Sequence, residues 1–147
     1  MSSALPDPNA LHLVALARRS FEHAHAPYSR FRVGAAVMDE RGRAFTGANV
    51  ENASFGLSMC AERVAIFSAI AAGAHAITAV AVSAERSADV TPCGACRQVM
   101  AEFCKPDVPV WCDAGGAKVT AFSVGELLPA AFLPQALPPE GAPTRSD

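Results

Sequence analysis

The sequence predicts one α/β domain, built on a mixed sheet of about five strands with helices on both faces. Two observations support this prediction. The chain has 147 residues, 51% of them hydrophobic and 18% charged, which suits a single domain with a substantial core. Helical and alternating apolar patterns also follow one another in the order helix, two strands, helix, strand, helix, strand, strand, helix.

The first half of the chain predicts a helix followed by a hairpin. A helix start is expected at residues 7–9, and Pro27 ends an apolar stripe that consists of Leu11, Val14, Ala17 and Phe21. Residues 33–37 alternate larger and very small apolar side chains, which predicts a strand with little room on its second face. A turn at residues 39–42 and a strand over residues 43–48 complete the hairpin.

The second half alternates helices and strands. Helices are predicted over residues 60–72 and 94–103, the first with Val64, Phe67 and Ile70 on one side. A central strand is predicted over residues 77–83, because both of its faces are apolar. Further strands are expected over residues 108–112 and, at the sheet edge, 117–122, with a turn at residues 113–116. Ser123 and Glu126 fit the capping box of a short last helix. The domain then spans residues 1–133, followed by a flexible proline-rich tail over residues 134–147.

Composition and charge argue against several classes of protein. Twelve basic residues against 14 acidic ones give a net charge of −2, which argues against a nucleic-acid partner. Residues 64–84 carry no charge, but they are rich in alanine and polar residues and predict a helix, a break and a strand rather than a membrane span. The N-terminus does not resemble a secretory signal. Five cysteines, an odd number, favour metal binding or catalysis in the cytoplasm over a set of disulfides.

Two segments place cysteines at the start of predicted helices: C-A-E-R at residues 60–63 and P-C-G-A-C-R-Q at residues 92–98. Helix N-termini stabilise thiolates. Three thiolates, from Cys60, Cys93 and Cys96, would favour Zn²⁺ if the two helix starts meet. Glu62, in the first turn after Cys60, can face the same ion.

The number of protein ligands decides between a structural and a catalytic site. Cys104 lies roughly 12 Å from Cys96 along a continuous helix and is too far away. Cys112 lies on a strand, and as a fourth ligand it would close a structural zinc site. A redox-active C-x-x-C pair is a further alternative. In a catalytic site the fourth position holds water instead.

These motifs resemble those of the zinc-dependent cytidine deaminases, and in particular the small homotetrameric type, whose third metal ligand is cysteine. The resemblance covers residues 27–132 and includes P-Y-S-R-F at 27–31, V-G-A-A at 33–36, G-A-N-V-E-N-A at 47–53 and E-L-L-P-A-A-F at 126–132. Ala48 and Phe55 depart from the family's usual Cys and Tyr.

The resemblance implies a three-layer α/β/α fold and one Zn²⁺ per chain. It implies hydrolysis of cytidine and 2′-deoxycytidine to uridine and 2′-deoxyuridine plus ammonia, in pyrimidine salvage. It also implies a homotetramer in which neighbouring subunits complete each active site, a free nucleoside as substrate, and neither nucleic acid nor membrane as a partner.

Individual roles follow from the same resemblance. Glu62 is expected to carry the proton, and the Ala61 backbone to lie beside the base. The other expected substrate contacts are Phe31 near the pyrimidine, Asn49 and Glu51 on the ribose hydroxyls, and Phe55 and Phe132 from a neighbouring subunit. On grounds of charge, and not from the resemblance, Arg63 and, as a weaker candidate, Arg97 are expected to offset the negative charge of the thiolates.

Plainer interpretations stand beside these roles. Phe31 and Phe132 could be core residues, Asn49 and Glu51 solvated turn residues, and Arg63 a surface residue. A zinc-stabilised binding module would need a fourth protein ligand. A deaminase of polynucleotides would need a basic groove, and a deaminase of a cytosine-like antibiotic would not need Asn49 and Glu51.

Overall fold

The computed structural model describes residues 7–86, 89–114 and 118–143. The N-terminal residues 1–6 and residues 144–147 of the proline-rich tail lie outside the described residues. So do Gly115 and Gly116 of the predicted turn and Ala117, where the last strand was expected to begin.

A five-stranded mixed sheet organises the chain, as the sequence predicts. Its strands are β1 (Val33–Asp39), β2 (Ala44–Ala48), β3 (Ile77–Ala84), β4 (Pro109–Asp113) and β5 (Val119–Ser123). They lie in the order β2-β1-β3-β4-β5, so β3 is central. The β3–β4 pair is parallel and the other pairs are antiparallel.

Helices cover both faces of this sheet. They are α1 (Pro8–Ser20), α2 (Ala61–Ala71), α3 (Gly94–Phe103) and the short α4 (Val124–Leu127). Helix α1 packs on one face, while α2, α3 and α4 share the core on the other. The three-layer arrangement is therefore confirmed. Within the described ranges, every helix is too short or too polar to cross a membrane.

The predicted apolar face of α1 is half right, because Val14 and Ala17 are buried but Leu11 and Phe21 are not part of the buried face. Leu11 is 60% exposed, and Phe21 lies past the end of the helix at Ser20, so Pro27 does not terminate it. The buried side consists instead of Ala10, Leu13, Val14, Ala17 and Ser20. Two overlapping stripes satisfy the helical spacing, and the one with smaller side chains faces the sheet because β1 approaches α1 very closely.

The predicted face of α2 is wrong for a related reason. Phe67 is 43% exposed, and the buried positions are Ala61, Glu62, Ala65, Ile66 and Ala69. A Cβ atom at Gly47 of β2 would lie 2.6 Å from both the Ala61 oxygen and the Ala65 nitrogen. Only small side chains fit between a helix and a strand at that separation, which fixes the start of α2 against the sheet.

Gly34 of β1 provides a test of the close packing against α1. A Cβ atom there would lie 2.0 Å from the Ala17 oxygen and 2.6 Å from the Phe21 nitrogen. We expect Gly34→Ala to lower the free energy of unfolding by about 1–3 kcal/mol or more, because helix and strand must separate. Urea denaturation measures this change. Gly56→Ala is the control, since its Cβ would meet nothing within 4 Å. Equal midpoints for both variants would contradict the packing described.

Candidate metal centre and active site

Three cysteine sulfurs meet where α2 and α3 begin. Cys60 and Cys93 are the N-cap residues of these two helices, and Cys96 lies in the first turn of α3. The Cys93 Sγ is 3.6 Å from the Cys60 Sγ and 3.5 Å from the Cys96 Sγ. All three sulfurs lie within 4.8 Å of one another. The helix starts therefore converge as the motifs require.

The chemistry of these donors fits a soft divalent cation. A hydrogen bond from Cys96, together with bonds from Arg63 and Cys93, lowers the pKa of Cys60 to about 5, although burial opposes the shift. The pKa of Cys96 is raised, because it donates to Cys60 and is buried. Two helix N-termini add positive potential at the same point. These interactions favour the thiolate form of Cys60, which is the form of cysteine that binds a metal.

The other two cysteines take no part in this group. Among the residues that the structure describes, no further Cys, His, Asp or Glu joins the three sulfurs. Cys104 and Cys112 lie in the core, where burial raises the pKa of each thiol to about 12. Three protein donors leave a position open, which is typical of catalytic rather than structural zinc.

Metal content after removal of each spare thiol tests this open site. We expect Cys104→Ser and Cys112→Ser each to retain one zinc per chain, measured by atomic emission after dialysis. Cys96→Ser is the control that removes a donor, and it should lose the metal. Loss of zinc from a folded Cys112→Ser protein would show that the site is closed.

A cavity of about 200 Å³ opens beside the sulfurs. Phe31, Asn49, Ala61 and Glu62 line it together with Cys60 and Cys93. Glu62 is only 4% exposed. Burial raises the pKa of its carboxyl to about 7. The buried Glu62 carboxyl and two of the three cysteines therefore line the same cavity.

Asn49 supports the wall of this cavity. Its Oδ1 accepts a hydrogen bond from the Val33 backbone nitrogen at 2.9 Å, and its Nδ2 donates to the Phe31 oxygen at 2.8 Å. These bonds tie the segment after β2 to the start of β1. They also fix the backbone that carries the Phe31 ring.

Glu51 does not share the cavity of Asn49. It lines a separate depression with Tyr28, Ser29, Phe55 and Ser58. The expectation that a strand end would present Asn49 and Glu51 on one face is wrong, because β2 ends at Ala48, before both. The Glu51 Oε1 accepts from the backbone nitrogens of Tyr28 and Ser29 at 3.0 and 3.1 Å. Hydrogen bonds from Ser29, above all, hold the pKa of Glu51 below its usual range.

Arg63 contacts the sulfur cluster as expected, and Arg97 does not. The Arg63 Nη2 donates to the Cys60 Sγ at 3.3 Å. Arg97 donates instead to the backbone oxygens of Pro92 and Leu127, at 2.7 and 2.9 Å. Arg97 was the weaker candidate for this role, and its place next to Cys96 in the sequence did not indicate these two backbone partners.

The two aromatic residues expected at subunit boundaries lie at the surface. Phe55 is 74% exposed and Phe132 is 62% exposed. Phe55 stands edge-on to Tyr28, with ring centroids 5.7 Å apart. Gln98 Nε2 donates to the Phe132 backbone oxygen at 2.8 Å. Neither ring lines the cavity that holds Glu62.

Sequence reasoning missed part of the cavity wall. Val82, Val90 and Thr91 also line it. Val82 lies on β3, and the other two precede Cys93. Ligands in α/β folds bind beyond the carboxyl ends of strands, so the position of this segment between β3 and α3 was the available signal.

Residues 8–112 match the family described as the cytidine and deoxycytidylate deaminase zinc-binding region. The chain belongs to the zinc-dependent cytidine deaminase family. It is 48% identical over 120 residues to a cytidine deaminase of Halalkalibacterium halodurans, covering 82% of this chain and 91% of that one. A cytidine deaminase of Mycobacterium tuberculosis is 36% identical over 136 residues, covering 92% and 98%.

Solved structures agree with the sequence comparisons. The crystal structure of a cytidine deaminase from Burkholderia pseudomallei superposes with a TM-score of 0.79 and 48% identity, covering 83% of this chain and 98% of that one. The predicted family and fold are thus confirmed. The deaminase has zinc as its cofactor, and its three-cysteine group fits that metal.

Proposed function

We propose that the enzyme hydrolyses cytidine and 2′-deoxycytidine to uridine and 2′-deoxyuridine plus ammonia. Cys60, Cys93 and Cys96 hold the zinc, and Glu62 carries the proton. The observation that supports this most is the buried Glu62 carboxyl, which opens into the same cavity as Cys60 and Cys93. The names of the relatives support cytidine as the substrate.

The reaction adds water to C4 of the cytosine ring and breaks the C4–N bond. When bound, zinc supplies the acidity that makes a water molecule nucleophilic near neutral pH. Glu62 accepts the proton of that water and delivers it to ring N3. It then takes the proton of the new C4 hydroxyl and transfers it to the amino group, so that the C4–N bond breaks, ammonia leaves and the C4 carbonyl of uracil forms. The single carboxylate of Glu62 serves both proton transfers, because the base that carries N3 and the amino group binds in the cavity that Glu62 lines.

The cavity walls orient the base. The Phe31 ring offers an apolar surface for the pyrimidine, and the backbone of Ala61 lies next to Glu62 in the same cavity. Asn49 keeps this wall in place through its two backbone bonds, and its second amide hydrogen is available to a ribose hydroxyl. Glu51 lines the neighbouring depression, where the backbone nitrogens of Tyr28 and Ser29 hold its carboxylate in place. From there it accepts a hydrogen bond from a ribose hydroxyl.

We further propose that four chains assemble and complete one another's sites. Phe55 and Phe132 are both exposed, so their rings are accessible to a partner chain. Phe132 then reaches the site of a neighbouring subunit. Light scattering should give the mass of a tetramer, and a fully active monomer would contradict the assembly.

In the cytoplasm the hydrolysis of cytidine and 2′-deoxycytidine would serve pyrimidine salvage.

A spectrophotometric assay tests the activity. The absorbance of cytidine and of 2′-deoxycytidine should fall as the amino group is lost, with one ammonium released per nucleoside. Prior removal of zinc by a chelator should abolish turnover, and added Zn²⁺ should restore it. A zinc-loaded protein that releases no ammonium from either nucleoside would overturn the proposal.

A further inference from the structure

The guanidinium of Arg97 joins two segments that are distant in sequence. Its Nε donates to the Pro92 oxygen at 2.7 Å, and its Nη1 donates to the Leu127 oxygen at 2.9 Å. Its Nη2 lies 3.4 Å from the Thr91 hydroxyl. One side chain thus holds the segment before Cys93 and the last residue of α4.

The bond to the Pro92 oxygen restrains the peptide group next to Cys93. The Pro92 oxygen and the Cys93 nitrogen belong to one planar peptide group. A donor that fixes this oxygen therefore fixes the plane from which the Cys93 side chain projects. Pro92 is itself fully buried, so its oxygen has little access to water in place of the guanidinium.

Cys93 is the ligand that most needs such support. Cys96 is buried within α3, and Cys60 is half-buried and receives a hydrogen bond from Arg63. Cys93 is exposed, and the contacts of its Sγ are with the other two sulfurs, at 3.6 Å from Cys60 and 3.5 Å from Cys96. Surrounding packing therefore restrains its sulfur less than the other two.

The bond to Leu127 connects this support to the C-terminal part of the domain. The Leu127 oxygen is one of the terminal carbonyls of α4, which have no partner inside that short helix. Arg97 donates a hydrogen bond to this carbonyl, and this second bond also restrains the guanidinium. Helix α4 is thereby an anchor for the segment that carries Cys93.

We propose that Arg97 is a positioning residue for the zinc site, which holds the Cys93 sulfur in place through the Pro92 carbonyl and is anchored on α4. The proposal rests on Cys93 being a zinc ligand. Removal of Arg97 should loosen one of three ligands without altering any donor atom. Zinc should then leave faster, while the protein remains folded.

The experiment measures zinc release from the purified holoenzyme to an excess of a chromophoric chelator. We expect Arg97→Met to release zinc about 10–100-fold faster than the wild type, the range for loss of a group that orients a ligand. Arg97→Gln, which keeps a donor to one carbonyl, should give an intermediate rate. The cobalt-substituted Arg97→Met protein should also show altered thiolate-to-cobalt absorption bands.

Gln98→Ala is the matched control. Gln98 is the next residue on α3 and donates to the Phe132 oxygen, not to the segment before Cys93. Its zinc release rate should stay within about twofold of the wild type. Unchanged release and unchanged cobalt bands in a folded Arg97→Met protein would overturn the positioning role, even if its melting temperature falls.

Cys93→Ala separates this proposal from the one it rests on. Loss of zinc from Cys93→Ala with normal release from Arg97→Met would refute only the role of Arg97. Full zinc retention by Cys93→Ala would refute the ligand assignment itself.

Discussion

Glu62→Gln is expected to bind one zinc per chain and to lose at least about 10²–10⁴-fold in kcat for cytidine, the range for general acid–base catalysis. The amide has the shape of the carboxyl and fits the same buried position. It cannot accept the proton of water or return it to the amino group. Because Glu62 acts in both steps, the loss should lie at or above the upper end of that range.

The control is Glu22→Gln, which changes a carboxylate on the exposed side of the 3₁₀ turn that follows α1. It should keep the activity and the melting temperature of the wild type. Zinc content is measured on every sample, so that metal loss is not mistaken for loss of proton transfer. A zinc-loaded Glu62→Gln protein with near-normal turnover would rule out Glu62 as the shuttle.

Arg63→Gln is expected to lower kcat by about 10–100-fold while zinc is retained. Three thiolates, from Cys60, Cys93 and Cys96, would give a divalent cation a net charge of −1, so that the zinc would acidify water less than it would with neutral ligands. The guanidinium that donates to the Cys60 sulfur withdraws part of that charge. Without the guanidinium, the zinc would acidify water less at neutral pH. KM should change little, since the cavity walls are untouched.

Arg41→Gln is the matched control, because Arg41 is an exposed arginine in the β1–β2 turn. It should not alter kcat. Steady-state kinetics and metal analysis on the same preparations distinguish slower chemistry from metal loss. An Arg63→Gln enzyme with unchanged kcat would show that Arg63 only packs beside the cluster.

The order of elements could be predicted from the sequence because each carries a local signal. Gly94–Phe103 has the predicted helix bounds, and Ser123 caps α4 by accepting from the Glu126 nitrogen at 3.1 Å. The buried faces of α1 and α2 could not be predicted in this way. They depend on how closely Gly34 and Gly47 let the helices approach the sheet, which is a tertiary distance.

The candidate site likewise has features that follow from local sequence signals and features that depend on tertiary structure. Cysteines at two helix starts predicted the sulfur cluster, because a helix N-terminus is a local feature with a known electrostatic effect. The separation of Glu51 from Asn49 was not predictable, since it depends on the path of the chain after β2. The bonds of Arg97 join residues 30 positions apart, and no pattern in the sequence indicates such a contact.

The division of the sulfurs between two helices links metal binding to folding. Cys93 and Cys96 are neighbours in any conformation, whereas Cys60 lies 33 positions from Cys93 and joins them only in the folded chain. A cation therefore finds three sulfurs already held together in the native state, whereas the unfolded chain would have to bring them together. Each tenfold rise in free zinc above the dissociation constant should add up to about 1.4 kcal/mol to the free energy of unfolding. The melting temperature of this deaminase is thus a function of zinc concentration as well as of sequence.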